Sequence, residues 1–241
     1  IKKDNITTRT GQMLGAPHRI TITPFVTMTL DNNIDFTIKT NNTYPDYYNI
    51  FTIQSDATLW LRSGSRVVFE NTNNFITEKL SNVHLSSGSS ITMLSGSCFL
   101  NGGARFEGSG QLIFQGKIST CIPYIPDNII YMKDSVKLIV DTNSSFEIPD
   151  STTYVFEGSE TAMICKDSSS IKFGKNSKLV FQDGARISAD GCKFTSYDST
   201  QKWDGIYLID NANDTLKNCT FENAYNGINI NPPFAAPLVD T

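Results

Sequence analysis

The chain has 241 residues, of which 39% are hydrophobic and 18% charged, and its formal net charge is −4. This balance excludes a highly charged disordered tail, and without a dense Lys/Arg stripe nucleic acid is not an expected partner. No apolar run approaches the length of a bilayer span, so no membrane insertion is expected.

The sequence starts at Ile1 with no basic-then-apolar leader ahead of it, as expected of a processed product or a part of a longer chain. Residues 1–50 are the least regular. "TIT" at 21–23 and "TMT" at 27–29 do not extend into the flat, repeated Thr column that an ice-binding face would need. "YPDYY" at 44–48 is an aromatic cluster. From residue 51 the texture changes. "ATLWLRSGSRVVF" and "VHLSSGSSITMLSGSCFLNGGARFEGSGQLIF" are short apolar-alternating segments separated by Gly, Ser and Asn. The pattern is densest over 161–194, where the segments AMI, IKF, LVF, RIS and CKF follow one another about eight residues apart. Alternation is strand periodicity, because successive side chains of a strand point to opposite faces. Three such segments make one coil of roughly 21–29 residues, within the range of solenoid repeats. No helical stripe is present.

The last two coils say nearly the same thing twice. "GCKFTSYDSTQKWDGIYL" at 191–208 and "NCTFENAYNGINI" at 218–230 share Cys-x-Phe and Gly-Ile units in the same order. Cys192 and Cys219 are 219 − 192 = 27 residues apart, whereas Gly205 and Gly227 are 227 − 205 = 22 apart. The five extra residues fall between Phe194 and Trp203. An antiparallel sandwich also has many short strands, but it gives no reason for the ordered repeat; stacked coils with variable corners do. Inward residues of successive coils should then stack. The expected columns are Phe173–Phe194–Phe221, Ile171–Cys192–Cys219, Leu179–Ile206–Ile228 and Phe181–Leu208–Ile230. Asp183 and Asp190, each followed by Gly, read as corner formers.

The fold class is therefore all-β: a single parallel solenoid with three short strands per coil. One domain is expected over 1–241, with less regular N-terminal coils over 1–50, regular coils over 51–230 and a tail over 231–241. The stretch "GARISADGCKFTS…WDGIYL…LKNCTFENAYNGINI" resembles the right-handed parallel β-helix repeat of the pectin-lyase-like superfamily. Its texture is similar to that of large secreted or surface-exposed bacterial proteins. The likeness spans 154–230 and, more loosely, 51–118. It implies a right-handed β-helix in a secreted or cell-surface location. It implies no activity, since that fold hosts lyases, hydrolases, phage spikes and adhesive stalks.

Sugar-cleaving members of that superfamily carry paired acids, a Gly-His-Gly and an Arg-x-Lys on neighbouring strands. None of these motifs is present, and no catalytic residue is assigned. His18 and His84 are the two histidines, and neither has ligand spacing, so no metal and no cofactor are expected. Five cysteines (Cys98, Cys121, Cys165, Cys192 and Cys219) form no CxxC unit and read as small buried hydrophobes with free thiols. Asn5, Asn41, Asn143, Asn213 and Asn218 open Asn-x-Ser/Thr sequences, which an Asn/Ser/Thr-rich coil produces by composition.

The inserted corner is the candidate contact surface. Tyr197, Asp198, Lys202, Trp203, Asp204 and Tyr207 are its candidate ligand-binding residues: aromatic faces beside acids and a base. Trp203 has a second reading, as a cover over the core at the corner. The functional expectation is a non-catalytic structural or adhesive module that displays loops to a glycan or a surface protein. The alternative is a polysaccharide lyase or glycoside hydrolase of the β-helix type. After Ile230, "NPPFAAPLVDT" is too proline-rich to continue a ladder freely, so a neighbouring domain or chain is expected at the C-terminal end.

Overall fold

The structure is a computed structural model and describes residues 19–39, 50–70, 73–119, 128–209 and 214–230. No helix occurs among the described residues. Successive strands visit three sheets in turn. Arg19–Ile22 opens the first sheet, Thr27–Leu30 the second and Asp35–Lys39 the third, and Ile50–Ile53 returns to the first. Each strand pairs in parallel with the strand three places later, giving, among the described residues, sheets of nine, nine and eight strands. The result is a parallel β-solenoid with about 25 residues per turn. Parallel pairing throughout rules out the antiparallel sandwich.

Alternation places the core. Ile50–Ile53, Asn82–Leu85, Ser145–Ile148 and Ser170–Phe173 each bury every second residue. The inward residues form one continuous apolar core from Ile22 to Leu208. Its rings stack from coil to coil. Phe114 meets Phe146 at 4.6 Å, and Phe156 meets Phe181 at 4.6 Å, both within the range of favourable ring pairs.

Two of the expected columns keep their register, Leu179–Ile206–Ile228 and Phe181–Leu208–Ile230, but only their first two members are buried: Ile228 is 37% and Ile230 69% exposed in the last described coil. The other two are displaced by two residues. Ile171, not Phe173, aligns with Phe194 and Phe221, while Phe173 aligns with Ser196. Cys192 follows Ser169 rather than Ile171, with 3.2 Å between Ser169 Oγ and Cys192 Sγ. A two-residue shift keeps every inward residue inward, so alternation alone does not decide between the registers. The cysteines described, Cys98, Cys165, Cys192 and Cys219, carry free thiols; Cys121 lies outside the described residues.

The corners share one construction. The N–H of a fourth residue donates to the carbonyl of the first, as in Ala57 to Gln54, Ser65 to Arg62 and Ser89 to Ser86, each at 3.0 Å. The third residue has a positive φ: Asp56 at 58° and Gly64 at 71°. Asp183 at 54° and Gly184 at 82° hold positive φ as expected of a corner, whereas Asp190 ends the strand Arg186–Asp190 and the positive φ there belongs to Gly191, at 66°. At Ala57, Ser65, Ser89 and Ser177 the fourth residue is small, turns inward and is buried, while Val136 fills the same position with a larger side chain and Val26 in the first described coil is exposed. The serines satisfy themselves there. Ser89 Oγ donates to Ser86 O at 2.7 Å and Ser177 Oγ to Gly174 O at 2.8 Å.

Candidate functional site

The inserted corner joins Lys193–Ser196 of the first sheet to Gly205–Leu208 of the second. Trp203 pairs with Ala224 of the next coil, which fixes the arithmetic of the insertion. Phe194 and Phe221 are 27 apart, Trp203 and Ala224 are 224 − 203 = 21 apart, and Gly205 and Gly227 are 22 apart. The first copy therefore gains six residues before Trp203 and lacks one after it.

Trp203 is not part of the outer surface. It is fully buried, and its ring stacks on Phe173 at 4.1 Å with an interplanar angle of 9°. Its indole N–H donates to Glu222 O at 2.8 Å. The cause is the register described above. Ser196 aligns with Phe173 on the neighbouring strand and is too small to cover it, so the loop returns an indole into that space.

The other five candidates stay at the surface, but their contacts divide into three groups. Tyr197 is half-exposed and its phenol donates to Asp150 Oδ1, two coils back. Burial first, then this hydrogen bond and the charges of Asp150, Asp198 and Glu147, push the Tyr197 phenol well above its ordinary range. Asp198 folds the loop on itself, accepting from Thr200 Oγ1 at 2.7 Å, Thr200 N at 2.9 Å and Gln201 Nε2 at 3.1 Å. Those hydrogen bonds, led by the Thr200 hydroxyl, hold its carboxyl below the usual range.

The second group lies on the outer face of the second sheet. Asp204 Oδ1 accepts from Tyr207 OH at 2.8 Å and from Asn226 Nδ2 at 3.0 Å. Lys178 Nζ lies 3.7 Å from Asp204 Oδ2 and 5.7 Å from the centre of the Tyr207 ring. Burial, then the Asp204 bond, raises the Tyr207 phenol. In the third group, Lys202 Nζ sits 5.2 Å from the centre of the Tyr225 ring, a cation–π pair, and Tyr225 is 72% exposed. Asp150, Lys178, Tyr225 and Asn226 were not singled out from sequence. Tyr225 had a signal, since it follows the residue that repeats the Trp203 position.

A second aromatic cluster occupies the opposite part of the second sheet. Trp60 meets His84 edge-on at 5.2 Å, with the Arg62 guanidinium 5.5 Å from the Trp60 ring centre. Trp60 Nε1 donates to Ser86 Oγ at 3.2 Å, and His84 Nδ1 lies 3.5 Å from Glu107. "YPDYY" and the tail over 231–241 lie outside the described residues. Among the described residues no group of three or more His, Cys, Asp or Glu side chains is arranged to hold a metal ion, and no helix is long and apolar enough to cross a membrane. No protein-family model matches the chain, nor does any curated protein or solved structure.

Proposed function

We propose that the chain is a non-catalytic module of a secreted or cell-surface bacterial protein, a rigid β-helix that displays a corner loop to a glycan or a protein surface. The observation that carries this reading is the build of the inserted corner. An exposed segment, Tyr197 to Lys202, is pinned at one end by the Tyr197–Asp150 bond and at the other by the buried Trp203 ring. Pinning lowers the ordering entropy that a contact loop would otherwise lose on binding. Tyr197, Tyr207 and Tyr225, with Lys178 and Lys202 beside them, offer flat rings and hydrogen-bonding heads of the kind that suits sugars and polar protein surfaces. The right-handed form of the coil and the relation to the pectin-lyase-like superfamily belong to the same reading, as does a neighbouring domain or chain at the C-terminal end.

The test is a glycan array together with a polysaccharide turnover panel, run on the chain and on a variant lacking Asp198 to Lys202. The shortened corner should keep the circular-dichroism spectrum and lose the binding. Release of reducing ends or unsaturated products, abolished by one acidic substitution, would establish the lyase or hydrolase instead. Binding unchanged by the deletion would move the contact surface to another face.

A further inference from the structure

The outer face of the third sheet differs from the other two. Its central column runs in register from Thr37 to Thr215, and its middle is Val68, Thr92, Ile113, Ile139 and Ile164. No charged residue stands in that column. By contrast, the column on the second sheet that holds Trp60 and His84 also holds Glu107. Ile113 and Ile164 are half-buried, Ile139 between them is almost covered by its two neighbours, and Leu94 at the edge is 37% exposed. An uncharged, β-branched centre with a polar rim is the composition of a protein interface.

The rim carries a pattern of charge. Where a strand of this sheet has charged described side chains at both ends, four residues apart, their signs are opposite: Arg66 and Glu70, Lys137 and Asp141, Arg186 and Asp190. All cations of these pairs lie on one flank and all acids on the other, with Asp35 already paired to Arg66 on the first flank and Lys166 to Asp141 on the second. We infer that this face pairs with the same face of a second copy, side by side and coil for coil, about a two-fold axis parallel to the solenoid axis. That axis brings the first residue of each full strand opposite the residue four positions later in the partner copy. Arg66 then meets Glu70, Lys137 meets Asp141, and Arg186 meets Asp190, each pair occurring twice. Gln111 meets Gln115, and Ala162 meets Lys166. No like charges are opposed. A two-fold axis across the coils instead sets the Arg66, Lys137 and Arg186 flank against itself, which like-charge repulsion disfavours.

The size of the face sets the strength. Eight strands about 4.8 Å apart and five residues wide give roughly 450 Å² per copy, or about 900 Å² in total. That is below the roughly 1,200 Å² of a stable interface, so the dimer is a weak one that forms at high local concentration.

Sedimentation velocity of the chain from about 5 to 500 μM, at low and high salt, tests the inference. The expected result is a dimer at the upper concentrations that weakens with salt. Lys137→Asp and Asp141→Lys should each reduce association by about tenfold or more, because each creates two like-charge contacts per dimer. The double variant should return to within about threefold of the original. Arg186→Glu, Asp190→Arg and their double variant repeat the test at a second coil, with circular dichroism confirming the fold of each. A chain that stays monomeric throughout overturns the inference. So does a dimer indifferent to the single reversals, as association through the coil end would be, or one that the double reversals fail to restore.

Discussion

Removing the Trp203 ring should loosen the last two coils and leave the others intact. A side chain of this size buries on the order of 150–250 Å², worth roughly 4–6 kcal/mol at about 25 cal/mol per Å². Partial collapse of the site and a compact denatured state reduce that figure, so Trp203→Ala should cost about 3–5 kcal/mol. Trp203→Phe keeps a ring to stack on Phe173 but deletes the donor to Glu222 O, which lies 2.8 Å away. A carbonyl left without its partner costs about 1–3 kcal/mol. Because each coil contacts only its neighbours, the loss should be local. Hydrogen exchange should accelerate over 193–230 and stay unchanged in peptides from 50–119. Urea unfolding followed by far-ultraviolet circular dichroism supplies the magnitude. A Trp203→Ala variant displaced by less than about 1 kcal/mol, with unchanged exchange over 193–230, would refute the anchoring argument. Loss of ligand binding without loss of stability would place the ring in the contact surface after all.

Gly174→Ala should destabilise by about 1–3 kcal/mol in urea, because the new Cβ would meet Asp150 N and Oδ1 at 2.4 Å, and it should also break the Tyr197–Asp150 bond; an unchanged midpoint would refute it. On the acid side, hydrogen bonds from Arg66 and from Lys166 hold the Asp35 and Asp141 carboxyls below their ordinary range. A depressed folded value contributes stability above the unfolded value of about 4 and loses it as pH falls through the folded one, so the thermal midpoint should drop below about pH 4. On the alkaline side, Tyr197 and Tyr207 are raised, first by burial, so the stability they contribute is complete below about pH 10 and disappears as pH rises through their folded values. A phenolate absorbance titration should show late-ionising groups, one fewer in Tyr197→Phe; uniform ionisation near the ordinary value would refute this. In native protein a thiol reagent should reach the half-buried Cys219 first, because Cys98 is fully buried and should react only on unfolding.

The architecture was legible because inward positions repeat in identity as well as in period. Leu179, Ile206 and Ile228 are all aliphatic at one ladder position, so period, order and register agree. The register of the first sheet was not legible, because Phe occurs at both Phe173 and Phe194, and matching like with like misplaces the strand by two. The inside of the corners was hidden as well. Ser65, Ser89 and Ser177 look like solvent-facing separators, and only the closing hydrogen bond of the turn shows that the fourth residue faces in. At Trp203 the sequence left two readings open, a contact residue or a cover over the core at the corner, and the structure places the ring in the core. Trp203 lies in a polar, inserted stretch, and its burial depends on the size of Ser196, a neighbour that no periodicity connects to it.

The displaced register at Phe173 and the buried Trp203 ring have one physical origin, and it bears on how a solenoid acquires a loop. The cross-section of a coil is fixed by the rings that stack through it, so extra residues leave only at a corner. A corner that swells draws backbone away from the core and exposes whatever it had covered. Here the exposed element is Phe173, under the small Ser196. The inserted segment repairs the gap with its own last residue but one before Gly205, the indole of Trp203, and fastens its first residue, Tyr197, to Asp150. Loop and anchor therefore belong together: six residues gained outside are matched by one large ring placed inside. The shorter second copy has Ala224 at the Trp203 position, and there the chain passes from Phe221 to Ala224 without an excursion. An insertion built in this way presents a held surface rather than a slack one, which is the property a display loop on a rigid stalk requires.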